Sequence, residues 1–332
     1  MQDPTPTVPD RQPTRLSASL RSLLPVIARA VLLLFVISVV VFGLTLLLPG
    51  DPAMALAGDS ASAEVLAAIR AELGLDQPVV MRYFSWIGAV LQGDFGNSFQ
   101  HRAPVAGLIW ARLPMTVSLT LVAILVAVSF GLVAGVLAAT HRGSWIDRIT
   151  TAISTFGIAT PNFWIGLILI IIVSLKLRWL PATGYAPLSD GVFKWLSHLI
   201  LPGAALGLAL GAELQRQTRS AVIEVLQQDY IRTARAQGLS RSYILWTRAL
   251  RNASGTVLTV IGFQIAILMG GSIVVEKIFG ISGLGTLMLE AVFNNDMPLI
   301  QGVVLVNALI VVAINLLTDL SYRALNPKVR LS

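Results

Sequence analysis

Long stretches without a charged residue dominate this chain. The six longest are 30–50, 113–140, 149–175, 195–212, 252–275 and 297–318, each of 18 to 28 residues. A helix needs about 20 residues to cross a bilayer's hydrocarbon, and only helices or closed barrels satisfy their backbone there. The runs are too continuously apolar for barrel strands, which alternate over about 10 residues. The pattern predicts an all-α integral membrane protein with six transmembrane helices.

Between the spans the periodicity changes. Ser62 to Leu73 carries Val65, Leu66, Ile69 and Leu73 at helical spacing, and Gly74 is suited to a C-terminal stop. Val79 to Leu91 is a second amphipathic segment, with Tyr83, Phe84, Trp86 and Ile87. These helices either cap one mouth of the bundle or dock an outside partner. Thr160-Pro161-Asn162 lies at mid-depth in the third span, where proline is expected to kink a helix. Gly131 and Gly135 in span 2 permit close helix approach. In span 4, Gly203, Gly207 and Gly211 recur at i, i+4 and i+8 and make one smooth helix-packing face.

Composition narrows the function. Only 12% of the 332 residues are charged, about half the share in soluble domains. The net charge of +7 is not a nucleic-acid patch, because the basic residues sort by loop. With the N-terminus cytoplasmic, sixteen of the 24 Lys and Arg fall on the inside, as the positive-inside rule requires, and both termini are then cytoplasmic. There is no cysteine, hence no disulfide, thiolate metal site or cysteine nucleophile. His101, His141 and His198 are scattered, which argues against a metal site. No Gly-Lys dipeptide occurs, so the phosphate-cradling G-x-x-x-x-G-K-[ST] loop is absent. Gly280-Ile-Ser-Gly283-Leu-Gly285 reads as an outer turn. Glu213, Asp319 and Asp147 sit at inner span ends, while Gln264, Asn307 and Asn315 suit bridges between helices. An ion-driven carrier or channel would need charge at mid-depth, and a membrane enzyme would need a catalytic cluster. Neither is evident.

Residues 1–25 read as a disordered cytoplasmic tail, 26–48 as the first transmembrane helix and 49–114 as an extracytoplasmic loop. Residues 115–322 read as a five-helix core that includes a cytoplasmic loop, 213–252, and 323–332 as a cytoplasmic tail. Ala55-Leu-Ala57 resembles a leader-cleavage site, but the preceding apolar run exceeds a leader's 7–15 residues, so the first span reads as a retained anchor.

The inner loop is the most informative segment. A helix is expected from about Val222 to Gln237, with Val222, Leu226, Tyr230 and Ala234 on one face. Arg232 and Arg235 suit its C-terminal end, Gly238 the left-handed position that follows, and Leu239 its apolar partner. Ser240 then caps a second helix, Arg241 to Arg251. Such an elbow either lies on anionic lipid or docks a cytoplasmic protein. The break at Gly238 favours docking.

This loop resembles the conserved cytoplasmic loop of ABC importer permeases, Glu-Ala-Ala, three residues, then Gly. Aligned on Gly238, the first three positions are Arg232, Thr233 and Ala234, of which Ala234 matches. The form Tyr230-Ile-Arg-Thr-Ala-Arg-Ala-Gln-Gly-Leu-Ser240 is similar to that of the dipeptide/oligopeptide/nickel subfamily. So are Leu48-Pro-Gly-Asp-Pro52, Glu72-Leu-Gly-Leu-Asp-Gln-Pro78, Gly93-Asp-Phe-Gly96, Arg112-Leu-Pro114, Pro161-Asn-Phe-Trp164, Trp179-Leu-Pro-Ala-Thr-Gly184, Gly302-Val-Val and Asp319 to Arg330. Two features depart: Arg232 replaces the acidic residue, and Ser254-Gly255-Thr256 stands where the family carries proline.

The resemblance implies a type I ABC importer permease fold in a bacterial inner membrane, whose last five spans are the shared core. It implies a first permease paired with a homologous second one. Two ABC ATPase subunits would hold ATP and Mg, and an extracytoplasmic binding protein would deliver substrate. This chain would hold no cofactor and bind no nucleic acid. Short peptides are the expected cargo, with nickel chelates or glutathione as alternatives. Asp229, Tyr230, Ile231, Arg232, Thr233, Ala234, Arg235, Ala236, Gln237, Gly238 and Leu239 would form the ATPase-coupling element, with Arg232, Arg235 and Gln237 in contact.

Overall fold

The computed structural model describes residues 15–47, 52–57, 61–72 and 74–325. The Leu48–Asp51 part of the turn after the first span, and the tail residues 1–14 and 326–332, lie outside these. The described residues are helical, with no strand beyond an isolated bridge between Asn97 and Pro104. Four helices precede the core: α1 (Arg15–Leu47), α2 (Pro52–Ala57), α3 (Ala63–Glu72) and α4 (Val79–Leu91). Next come α5 (Val105–Thr140), α6 (Trp145–Ala159) and α7 (Asn162–Leu169), extended by a π turn over Ile170–Lys176. Then follow α8 (Val192–Leu226), α9 (Asp229–Ala236), and α10 (Arg241–Ile244), joined through a π turn, Leu245–Ala249, to α11 (Leu250–Gly271). The chain closes with α12 (Ile273–Ile278), α13 (Leu284–Phe293) and α14 (Met297–Leu325).

Five of these helical segments are long and apolar enough to cross a membrane, and α6 with α7 makes a sixth if the bent pair is one span. The predicted kink is far larger than a proline kink in a continuous helix: α6 and α7 meet at 102°. Thr160 (ψ 128°) and Pro161 (ψ 134°) are both extended. Proline disfavours the helical conformation for the residue before it, and here two successive extended residues turn the chain aside. α1 also starts sooner than expected. Residues 15–25, read as tail, are helical.

The centre of the bundle is the α5–α8 seam. Leu119, Val122, Ala123, Leu199, Leu206 and Phe279 belong to its buried core. The glycines predicted to face a helix meet α5: a Cβ on Gly203 would lie 2.5 Å from Val122 Cγ1. On Gly207 it would strike the Ala123 carbonyl, and on Gly211 it would lie 2.9 Å from the Phe130 ring. In return, a Cβ on Gly131 would come within 2.7 Å of the Gly211 carbonyl, and one on Gly135 within 2.7 Å of Thr218 Cβ. The contacts advance together along both helices, which therefore run parallel with their backbones nearly touching. Gln264 bridges α11 to α8, donating to the Leu210 carbonyl at 2.8 Å.

α4 follows its sequence pattern to both ends, but its aromatics are not a cap over the bundle. Tyr83 and Trp86 pack on Phe42 of α1, with ring centroids 5.5 and 5.6 Å apart, and the Tyr83 hydroxyl pairs with Ser38 Oγ at 2.8 Å. Gly74, after α3, takes the left-handed conformation (φ 62°).

Candidate functional site: a helical elbow at one end of the bundle

α8 runs 35 residues, about 52 Å at 1.5 Å per residue, and so outruns the hydrocarbon. The new helix expected from Val222 does not start there. Val222 is the last fully buried residue of α8, and the break falls at Gln227–Gln228, where Gln228 is extended (ψ 150°). α9 then spans eight residues. The predicted Val222–Leu226–Tyr230–Ala234 face is cut by that break. Beyond it Ile231 and Ala234 are buried, while Tyr230 is 40% exposed and accepts from Asn252 Nδ2 at 2.9 Å.

The elbow rests on a small apolar footing. Ile231, Ala234 and Ile244 are buried together, with Leu226 and Leu239 packed against them. Asp229, Arg232, Thr233, Arg235, Ala236, Gln237 and Gly238 are exposed. Asp229 opens the helix and Arg235 closes it, each matching the sign of the local dipole. Arg232 reaches Asp229 at 3.3 Å, an exposed pair of little energetic weight.

α9 ends in a fully bonded turn. Leu239 N–H donates to the Ala234 carbonyl (3.2 Å) and Gly238 N–H to that of Arg235 (3.0 Å), with Gly238 at φ 81°. This is the Schellman arrangement, in which a left-handed residue satisfies the last carbonyls. Ser240 then accepts from Tyr243 N–H at 3.3 Å. The helix it starts does not stop at Arg251: α10 and its π turn run into α11, and Ser254-Gly255-Thr256 passes through α11 unbroken.

Two features at the end opposite α9 escaped sequence reading. Glu276 and Asp296 are completely buried. Glu276 accepts from Ser272 Oγ (2.7 Å), Thr286 N–H and Thr286 Oγ1 (both 2.8 Å). It thereby fills the space that Cβ atoms on Gly283 and Gly285 would take. Asp296 accepts from Ser98 Oγ (2.5 Å) and Gln100 N–H (3.2 Å), tying the segment before α5 to the start of α14. Both acids lie outside the charge-free runs, and their donors are distant in sequence or masked as ordinary turn residues. Saturated in this way, they hold loops together. Among the described residues no group of three or more His, Cys, Asp or Glu could hold a metal ion.

Such a bundle, with its exposed elbow and, among the described residues, no group able to hold a metal, can be set beside known proteins. Residues 131–331 match the family of binding-protein-dependent transport system inner membrane components, and residues 19–120 match that family's N-terminal region. The chain belongs to this family. It is therefore a multi-pass membrane permease subunit of an ABC importer, a translocation component rather than an enzyme. A Brucella abortus (strain 2308) protein bearing the name of a peptide transport system permease protein is 42% identical over 304 residues, covering 92% of this chain and 97% of that one. The glutathione transport system permease protein GsiC of Escherichia coli (strain K12) is 43% identical over 297 residues, covering 90% and 94%. Among solved structures, an inward-facing form of the MetNI methionine ABC transporter aligns with TM-score 0.55 and 19% identity, over 66% of this chain and 96% of that one. That likeness gives the fold, the type I importer permease fold.

Proposed function

We propose that this permease is the first of a pair that imports short peptides, or glutathione as a peptide-like cargo, at the expense of ATP. The names of its relatives support the cargo. One homologous permease would complete the pathway. Two ABC ATPases, which would hold the ATP and Mg, would dock on the elbows, and an extracytoplasmic binding protein would deliver substrate. The sixteen basic residues assigned to one side of the membrane support an orientation with α9 and both termini in the cytoplasm of a bacterial inner membrane.

The observation that carries this reading is the form of α9. It is a short helix held by one buried face, stopped at a left-handed glycine, and exposing Arg232, Thr233, Arg235 and Gln237 on the other. A lipid-lying segment would present its apolar face outward. Here that face is turned to the protein and the polar one is free. Closure of the ATPases would then move the elbows as rigid bodies and switch the bundle's access.

In the reconstituted importer, Arg235→Glu and Gly238→Leu should abolish uptake while the permease still inserts and its pair still assembles. Normal uptake by both variants would refute the assignment. Mass spectrometry of the ligand held by the cognate binding protein identifies the cargo, and a ligand without a peptide bond would overturn the peptide reading.

A further inference from the structure

α6 is held to the bundle by a thin stripe. Asp147 and Ser154 are buried and Thr150 and Gly157 half-buried, while most of its other residues are exposed. Its fit against α8 is close but slight: a Cβ on Gly157 would lie 3.1 Å from that of Ala212. Two polar groups on these helices, Ser154 Oγ and the Gln215 amide, are buried without partners. One strong contact joins α6 to α8. Arg219 grips Asp147 through two bonds, Nε to Oδ1 at 2.6 Å and Nη2 to Oδ2 at 2.9 Å. The Asp147 carboxylate also accepts from Gly143 N–H (2.9 Å) and Thr151 Oγ1 (3.4 Å). Its side chain is 7% exposed and that of Arg219 is 28%.

The pair's place in the chain sets its mechanical meaning. Arg219 sits two turns before the break that leads into α9. Asp147 sits in the first turn of α6, whose exposed face lines an open groove of about 740 Å³ with Arg148, Thr151, Thr155 and Phe156. Asp147 also ties down the α5–α6 turn through Gly143. A two-pronged guanidinium–carboxylate grip is directional as well as strong. Removing Arg219 would leave the Asp147 charge buried and unmet, whereas removing Asp147 frees a guanidinium that still reaches solvent.

We propose that Asp147 and Arg219 are positioning residues that make α6, and the groove it lines, follow α8 when the elbow moves. This rests on the reading of α9 as the ATPase-coupling element. The pair touches neither cargo nor ATPase in this scheme. It transmits motion, and without it α6 lags on its unpaired, small-residue seam.

The chain has no cysteine, so a single Thr155→Cys is this subunit's one thiol, and its alkylation, read on this subunit after the complex is separated, reports groove access. In the complete importer reconstituted in liposomes, alkylation of that thiol should change between the nucleotide-free and the vanadate-trapped states. Adding Asp147→Asn should leave ATPase co-purification and ATP hydrolysis intact. It should remove the nucleotide-dependent change in alkylation and cut uptake per ATP by about tenfold, a typical size for coupling between sites. Arg219→Lys keeps the charge but not the two-pronged grip. It spares folding if Asp147→Asn does not, and should produce the same pattern in weaker form. Unchanged uptake per ATP with an intact alkylation response in either folded variant overturns the proposal. Failure of the underlying reading has its own signature, ATPase subunits that co-purify and drive normal uptake with both Arg235→Glu and Gly238→Leu.

Discussion

The α5–α8 seam and the α9 elbow both depend on glycine, for opposite physical reasons. In the seam, Gly203, Gly207 and Gly211 are needed for space, because a side chain would collide with the backbone or side chains of α5. At the elbow, Gly238 has open space around the position of a Cβ and is needed for its backbone angle of +81°. The first use makes two helices into one solid wall. The second makes a sharp end to a helix whose outer face stays free. A moving membrane protein needs both, a body that does not give and a surface that can be gripped.

Leucine placed at each kind of glycine should separate the two. Gly207→Leu is expected to cost about 3 kcal/mol, the upper end of the usual overpacking range, because the clash is with backbone. It should be seen as loss of folded protein in detergent, and a normal melting profile would break the comparison. Glu276→Ala comes next, at about 2–3 kcal/mol, because it strands donors that met a charge. Glu276→Gln should recover part of that loss in the same thermal melt. Ile231→Ala should cost about 2 kcal/mol, confined to the elbow. Hydrogen exchange should rise over residues 226–240 and stay low along α8, and an equal rise in both would mean that the elbow is not a separate unit. Gly238→Leu should cost about 1–2 kcal/mol for the left-handed angle alone, folding normally but failing in uptake. Arg232→Ala sits last, with no measurable change in stability for an exposed pair, so that any loss of ATPase association reports contact rather than folding.

How far these features can be read from sequence depends on how local their causes are. The ends of α4 are legible because its amphipathic period is complete within thirteen residues. The turn at Gly238 is legible because a glycine followed by leucine at a helix end is a local signal. The break at Gln227–Gln228 is not, since neither glycine nor proline marks it and the residues around it favour helix. The run of α10 into α11 is hidden for the complementary reason: the second helix is expected to end at Arg251, yet it continues through Ser254-Gly255-Thr256. Thr160–Pro161 signals a disturbance, but its size is set by two consecutive extended residues. Asp296 and the Asp147–Arg219 pair depend on partners 198 and 72 positions away, which no window along the chain contains, while the donors to Glu276 lie within ten positions but look like ordinary turn residues.

The unbroken length of α8 carries a consequence of its own. The glycine seam holds this rod against α5 from Gly203 as far as Thr218, and only its last stretch, Arg219 to Leu226, about 12 Å at 1.5 Å per residue, projects past the last of those contacts. The two helices therefore tilt as one doubled shaft, and about 5° of tilt measured from Gly203 carries the tip of α8, about 34 Å away, through about 3 Å, enough to remake a helix-to-helix contact there. Small angular strokes of the shaft and ångström-scale travel at the elbow are then the same motion, measured at two radii.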